Sequence, residues 1–323
     1  MPDRRFALVA VAVALASCRG GCARKPPETR DALALLPADV AMVMVVDVAK
    51  LRDAPVMATL LRPDGGSAPR DKLIAAIKAR LDDVATNAGF HPVLDVDTVV
   101  LALAKDGNAG GAVVRGRHLE LTRLHAFLRA MQPESAPELQ VASRKHGSRT
   151  LWSIRGEREA ALFLDDQTLV IGYGGWAEKM ADLVDGVGSA RALASAEIVP
   201  VFRGVAGHTI GGVAPNPEFL TPFLESVESL DAGAAAHPAL KFRGATWTVD
   251  VADGLVATFD AELANPADAD LLAKKVKERK LDTGLRIRVE GAKVHADGDF
   301  EPDDLRSQLT DAVPFVLSLL KKH

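Results

Sequence analysis

Cysteine, aromatic residues and excess basic charge are all scarce in this 323-residue chain. Its two cysteines both lie within the first 22 residues, which excludes a disulfide-built fold and a zinc site made of thiolates. The 39 lysines and arginines are outnumbered by 43 acidic residues without forming a basic stripe, which argues against a nucleic-acid partner. Beyond residue 17, no apolar run approaches the roughly 20 residues that a membrane-spanning helix needs.

The first residues have the pattern of an export signal. Arg4 and Arg5 precede an apolar run from Phe6 to Ala16, about half the length of a membrane span. The run ends in Leu15-Ala16-Ser17-Cys18, a branched apolar residue, two small residues and a cysteine, which resembles the lipobox of bacterial lipoproteins. The resemblance implies that signal peptidase recognises Leu15, Ala16 and Ser17, that residues 1–17 are removed, and that Cys18 carries lipid. An ordinary cleavage site at Ala14-Leu15-Ala16, with Cys18 paired to Cys22, remains the alternative.

The mature N-terminus is expected to be a thin tether. Residues 18–32 are rich in glycine, proline and charge and have no apolar period, so we predict a flexible, lipidated segment there. Its Cys22 lacks a lipobox and is predicted to be free or separately modified. The chain is expected to contact the membrane through the lipid on Cys18. Removal of residues 1–17 leaves a formal charge of −5 on the mature chain. The residue after the predicted lipidated cysteine is Arg19 rather than aspartate. By resemblance to the sorting of enterobacterial lipoproteins, this favours location in the outer membrane.

The remaining residues predict an α+β fold of antiparallel hairpins with helices packed on one side. Strand-like runs recur at Ala41–Val46, Thr98–Ala104 and Ala245–Val251, between segments with helical spacing of apolar residues. The small-residue segment Gly186–Ser195 is predicted to separate two lobes, 33–188 and 189–323. Each lobe reads strand, helix, hairpin, helix, hairpin, helix, which indicates a two-fold internal duplication. The last predicted helix, 302–320, carries an apolar stripe expected to pack on the second lobe.

Two stretches support a family resemblance. Residues 35–61 (LLPADVAMVMVVDVAKLRDAPVMATLL) resemble the opening of a family of secreted bacterial proteins of unknown function, with Leu-Pro-Ala-Asp before a hydrophobic strand that ends in Val-Asp. Residues 165–184 (DDQTLVIGYGGWAEKMADLV) resemble the later strand-turn-helix of that family. The resemblance implies an α+β envelope protein and supplies no catalytic residues.

The sequence offers no recognisable catalytic, metal or cofactor site. Gly172-Tyr173-Gly174-Gly175 lies where a phosphate loop would, but it matches neither dinucleotide nor P-loop spacing, so a turn is expected and no nucleotide. The acidic run 297–304 has Pro302 and Gln308 where an EF-hand starting at Asp297 requires glycine and glutamate. The histidines are scattered, and no Gly-x-Ser-x-Gly is present.

The sequence therefore predicts a non-catalytic binding or scaffolding module of the cell envelope, with an envelope protein as its partner. Trp176, which opens a helix after the two glycines, is the aromatic residue proposed to contact a ligand or partner. The alternative is an envelope hydrolase whose serine, histidine and carboxylate converge from distant positions. An exposed groove or patch would favour binding, whereas such a convergence would favour hydrolysis.

Overall fold

The structure is a computed structural model that describes ten stretches of the chain. These are residues 29–60, 69–105, 107–131, 140–154, 159–187, 191–193, 196, 198–215, 240–278 and 285–303. The predicted signal peptide, the lipidation site Cys18 and most of the tether lie outside the described residues, as does nearly all of the predicted last helix.

Twelve strands of the described chain form one antiparallel sheet, which confirms the α+β class. The strands are β1 (Val40–Asp47), β2 (Val96–Ala104), β3 (Gly110–Gly116), β4 (Val141–His146), β5 (Arg149–Ile154), β6 (Ala160–Phe163), β7 (Thr168–Tyr173), β8 (Ile210–Ala214), β9 (Phe242–Val251), β10 (Leu255–Leu263), β11 (Leu285–Glu290) and β12 (Lys293–Phe300). Their order across the sheet is β11-β12-β10-β9-β8-β1-β2-β3-β7-β6-β5-β4.

Helices connect and cover these strands. They are α1 (Thr29–Ala34), α2 (Val48–Asp53), α3 (Pro55–Leu60), α4 (Pro69–Ala88), α5 (Leu121–Met131), α6 (Trp176–Asp185), α7 (Val199–Val205) and α8 (Pro266–Glu278). Within the described ranges, no helix is both long and apolar enough to cross a membrane.

Helices cover both faces of the sheet in its first block of strands, β1 to β7. On the face that carries Val43, Val113 and Val170, here called face A, the core includes residues of α1, α6 and α7. On the opposite face B, Phe127 of α5 packs beside Val114. The prediction that helices pack on one side is therefore wrong for this block, because adjacent residues of its strands are apolar on both faces and both faces need cover.

In the second block, β8 to β12, the two faces differ in polarity. Face B remains apolar, and α8 packs Leu272 against Ala245, Ala261 and Val294 there. Face A changes to threonine and charged residues, beginning at Thr246 opposite Val213. Such alternation is typical of an antiparallel sheet with one packed face and one solvated face.

The two blocks join through β1 and β8, where Val43 lies opposite Val213. Strands from the predicted lobes 33–188 and 189–323 thus remain in separate groups within one continuous sheet. Phe202 of α7, which follows the predicted boundary, is buried in the same core cluster as Val43. The lobe boundary stays a prediction, but the core extends across it.

The predicted tether is too long at its C-terminal end. Residues Thr29 to Ala34 form α1, and Ala32 and Leu33 are buried in the face A core. The sequence pattern missed this helix because six residues are too few to display a helical period.

The two edge strands of the sheet, β4 and β11, both carry cations. β4 has Arg144 and Lys145, and β11 has Arg286 and Arg288. Charged side chains on edge strands hinder pairing with a further strand.

Candidate functional site

The polar continuation of face A across β9 to β12 carries a network of paired polar side chains. One cross-strand row runs from Thr246 to Asp260, His295 and Arg288, and a parallel row runs from Thr248 to Thr258, Asp297 and Arg286. We call these eight residues the polar sheet face. Among the described helices, α8 packs on β10, β11 and β12 and covers the opposite face, whereas α7 contacts β9 at the junction with the first block.

Asp297 anchors an arginine pair at the edge of this surface. Arg286 Nε donates to Asp297 Oδ2 over 2.6 Å, and Arg288 Nη2 donates to Oδ1 over 3.2 Å. The aspartate side chain is only 14% exposed, whereas the two arginine side chains are 76% and 67% exposed. The carboxylate thus fixes the position of both guanidinium groups, and both groups remain exposed to a partner.

The pKa of Asp297 reflects these contacts. Burial acts to raise it, but the hydrogen bond and charge of Arg286, with the charges of Arg288 and His295, outweigh burial and hold the pKa below its ordinary value. The carboxylate therefore stays ionised at neutral pH and keeps both arginines oriented.

His295 connects the two rows. Its Nδ1 lies 2.7 Å from Asp260 Oδ1, and its Nε2 lies 3.4 Å from Asp297 Oδ1. Beside it, the hydroxyls of Thr248 and Thr258 lie 2.5 Å apart. Side chains already paired in this way lose less conformational freedom on binding than free ones would.

The size and charge of the polar sheet face indicate the kind of contact that it can make. Four strands spaced about 4.8 Å apart, with the two rows about 7 Å apart along them, give a surface of about 14 by 7 Å between Cα positions. That area is smaller than the roughly 800 Å² per partner of a standard stable interface. Acidic and basic groups alternate, so the surface complements a mixed-charge protein surface better than a uniformly charged polymer.

Three other histidine–aspartate pairs of the described residues lie outside this surface, and in the longest of them His91 Nε2 is 3.5 Å from Asp82 Oδ1. His208 Nδ1 is 2.6 Å from Asp250 Oδ2, and His146 Nε2 is 2.8 Å from Asp182 Oδ1. The serine nearest in sequence to His146, Ser148, donates instead to Asp185 over 2.6 Å. In the described ranges, no serine hydroxyl is hydrogen-bonded to a histidine, the convergence that the hydrolase alternative requires.

The sequence-predicted contact residue Trp176 is buried. It is 1% exposed and forms part of the face A core, because α6 directs its first residue onto the sheet. The proposal that Trp176 contacts a ligand or partner is therefore wrong for this fold. Gly174 and Gly175 have φ angles of 63° and 82°, which confirms the interpretation of this segment as a turn.

Asp297 belongs to the acidic run 297–304, which does not match a calcium-binding EF-hand loop. In the structure it is paired with Arg286 and Arg288. No group of three or more metal-ligating side chains lies close enough to hold an ion in the part of the chain described. Asp260, Arg286, Arg288 and His295 were not predicted as site residues, although alternation in TFDAEL, LRIRVE and KVHADGDF is consistent with an outward side chain at each. The missing information was the register that sets these four side chains opposite one another.

Comparisons with known proteins identify a fold and no function. No protein-family model matches the chain, and no curated protein matches it. The chain is similar to TP0453 in crystal form III, with 13% identity, a TM-score of 0.51, and coverage of 90% of this chain and 99% of that chain. Crystal forms I and IV of TP0453 give 14% and 12% identity, with TM-scores of 0.47 and 0.46 over 90% and 89% of this chain and 98% and 97% of those chains. At such identities the likeness to form III shows a shared fold alone.

Proposed function

We propose that this protein is a lipid-anchored module of the bacterial cell envelope that binds another envelope protein through the polar sheet face. The lipobox sequence ending at Cys18 supports the anchor, and the resemblance to secreted proteins of unknown function agrees with it. Its role is binding or scaffolding rather than catalysis.

One observation carries the binding proposal. Across β10 to β12, face A has no described helix packed on it, yet its side chains are fixed by cross-strand contacts centred on Asp297 and His295. A solvated sheet face needs no such network, because water satisfies separated polar groups equally well. Preorganised charges in a small area favour a specific, transient protein contact.

The test compares charge reversals on the two edge strands. Arg286→Glu with Arg288→Glu changes the polar sheet face, and Arg144→Glu with Lys145→Glu makes the same charge change on β4. In intact cells treated with a lysine- or carboxylate-reactive crosslinker, the first variant should lose the adduct that the parent forms with its partner. The β4 variant should keep that adduct. An adduct that persists in both variants would refute the polar sheet face as the interface.

We further propose that the two blocks arose by duplication. The order β1-β2-β3-β7 in the first block corresponds to β8-β9-β10-β12 in the second. The two series begin at the antiparallel β1–β8 pair and run outward from it in opposite directions across the sheet. In addition, α5 follows β3 and α8 follows β10, and both helices pack on face B. A two-fold axis between β1 and β8, perpendicular to the sheet, would relate these elements. This correspondence supports a repeat of strand, hairpin, helix and returning strand.

A further inference from the structure

A row of polar residues crosses the helix-covered part of face A at one end of the sheet. Asp47 of β1 lies opposite Thr98 of β2, Thr98 opposite Arg115 of β3, and Arg115 opposite Thr168 of β7. Directly opposed residues have Cβ atoms about 5 Å apart, so both threonines flank the arginine at close range. This row lies in the first block, away from the polar sheet face.

Two polar atoms in this row, Thr98 Oγ1 and Arg115 Nε, are buried with no hydrogen-bond partner in the described chain. The threonines on either side of Arg115 are themselves buried, with Thr98 2% and Thr168 3% exposed. The neighbouring Arg117, by contrast, donates to the Leu94 carbonyl oxygen over 2.9 Å. Buried polar groups normally have partners, so two adjacent unpaired ones point to a binding partner that is not part of the protein.

The charges in the row favour an anion. Asp47 is already neutralised by Lys50, whose backbone N–H donates to Oδ1 over 2.9 Å and whose Nζ lies 3.6 Å from Oδ2. Arg115 forms no ion pair among the described residues, so its positive charge is uncompensated by them. Its guanidinium can only donate hydrogen bonds, and a threonine hydroxyl can donate one, so the missing partner must be an acceptor.

We propose that Thr98, Arg115 and Thr168 bind a small oxyanion, a carboxylate or phosphate group. The planar guanidinium presents paired N–H donors that match two oxygens of such a group, and the threonine hydroxyls donate from either side. Arg115 is half-buried, but its Nε and Thr98 Oγ1 are enclosed, so the anion reaches these two atoms only when the side chains that cover them move aside. This site is independent of the proposed partner-binding role.

Calorimetric titration of the purified protein with inorganic phosphate, and separately with acetate, tests the site. Binding of at least one anion is expected, and Arg115→Gln should weaken it about tenfold or more because a charge-assisted pair is lost. Arg117→Gln, which removes the same charge two residues away, should leave affinity unchanged. Arg115→Lys should fall between the parent and Arg115→Gln, because it keeps the charge and loses the paired donors.

Thr98→Val provides a second measurement that does not depend on Arg115. Removing an unpaired buried hydroxyl while keeping the side-chain shape should raise the urea midpoint without anion and reduce the stabilisation that the anion gives. A lowered midpoint would show that a bound water already satisfies Thr98, and would overturn the proposal. Failure of the parent to bind either anion, or equal weakening by Arg117→Gln, would also overturn it. Phosphate binding without acetate binding, or the reverse, assigns the class of oxyanion.

Discussion

The indole ring of Trp247 occupies the space in which residue 212 would carry a Cβ atom if it were not glycine. Gly212 of β8 lies opposite both Met44 of β1 and Trp247 of β9, so this contact is at the junction of the two blocks. The packing of β9 on β8 therefore depends on a small residue facing a large one. This complementarity fixes the strand that pairs with the first block against the rest of the second block.

Gly212→Ala should lower the free energy of unfolding by about 1–3 kcal/mol, because the added methyl group displaces the indole ring. Gly207→Ala is the matched control, since a Cβ atom there meets nothing within 4 Å and should change stability by less than about 0.5 kcal/mol. Urea unfolding measures both. Adding Trp247→Ala should cancel most of the penalty at residue 212, and strict additivity of the two substitutions would contradict the proposed clash.

Stability in acid should depend on Asp185, at the end of α6. Hydrogen bonds from Ser148 and Arg149, each 2.6 Å long, lower its pKa below the ordinary value of 3.8, against the opposing effect of burial. A lowered pKa in the folded state stabilises the protein above the ordinary value, and this contribution is lost as pH falls through the folded pKa. Asp185→Asn should therefore be less stable than the parent at pH 6.

The difference in urea midpoint between the parent and Asp185→Asn should shrink as the pH is lowered from 5 to 2. Asp166→Asn, at an exposed aspartate, is the control and should track the parent across this range. A constant difference between the parent and Asp185→Asn would mean that Asp185 stabilises the hairpin of β4 and β5 by its shape rather than by its charge.

Membrane retention should depend on Cys18. Cys18→Ala removes the thiol that the proposed lipobox would present for acylation, so cell fractionation should find the chain unprocessed or in the soluble fraction. Cys22→Ala should leave it in the membrane pellet, because Cys22 has no lipobox of its own. A processed Cys18→Ala chain that resists a high-salt wash of the membranes would show that another anchor exists.

Limited proteolysis should cut within Gly186–Ser195, and the two fragments should stay together. The β1–β8 ladder and the burial of Phe202 beside Val43 join the fragments across the cut. Size-exclusion chromatography should give one peak at the intact size in buffer and two peaks in urea. Fragments that separate in buffer would indicate that each lobe closes its own core.

Much of the secondary structure could be predicted, because alternating and helical patterns record local burial. The strands β1, β2 and β9 lie within a few residues of the predicted runs Ala41–Val46, Thr98–Ala104 and Ala245–Val251. The helix α7 could not be found this way, because seven residues containing Pro200 and Gly204 show no helical period and are weak helix formers. It forms because Phe202 packs into a core that distant strands provide.

The candidate sites were less predictable for a related reason. The outward direction of Asp297 follows from alternation within β12, but its position beneath Arg286 depends on the register between β11 and β12. The same holds for Thr98 and Arg115, whose neighbourhood is set by the β2–β3 pairing. Arg115 follows the apolar Val113 and Val114, and the sequence does not indicate which elements cover it.

The cations on the two edge strands have a consequence for many copies of the chain held close together on one surface. An edge-to-edge approach, whether β4 to β4, β11 to β11 or β4 to β11, brings together two strands that each carry a pair of cations. Like charges placed across a strand pair oppose its formation. If the proposed lipid anchor concentrates copies of the chain on one surface, these cations therefore oppose the growth of fibrils by addition of one sheet to the edge of another.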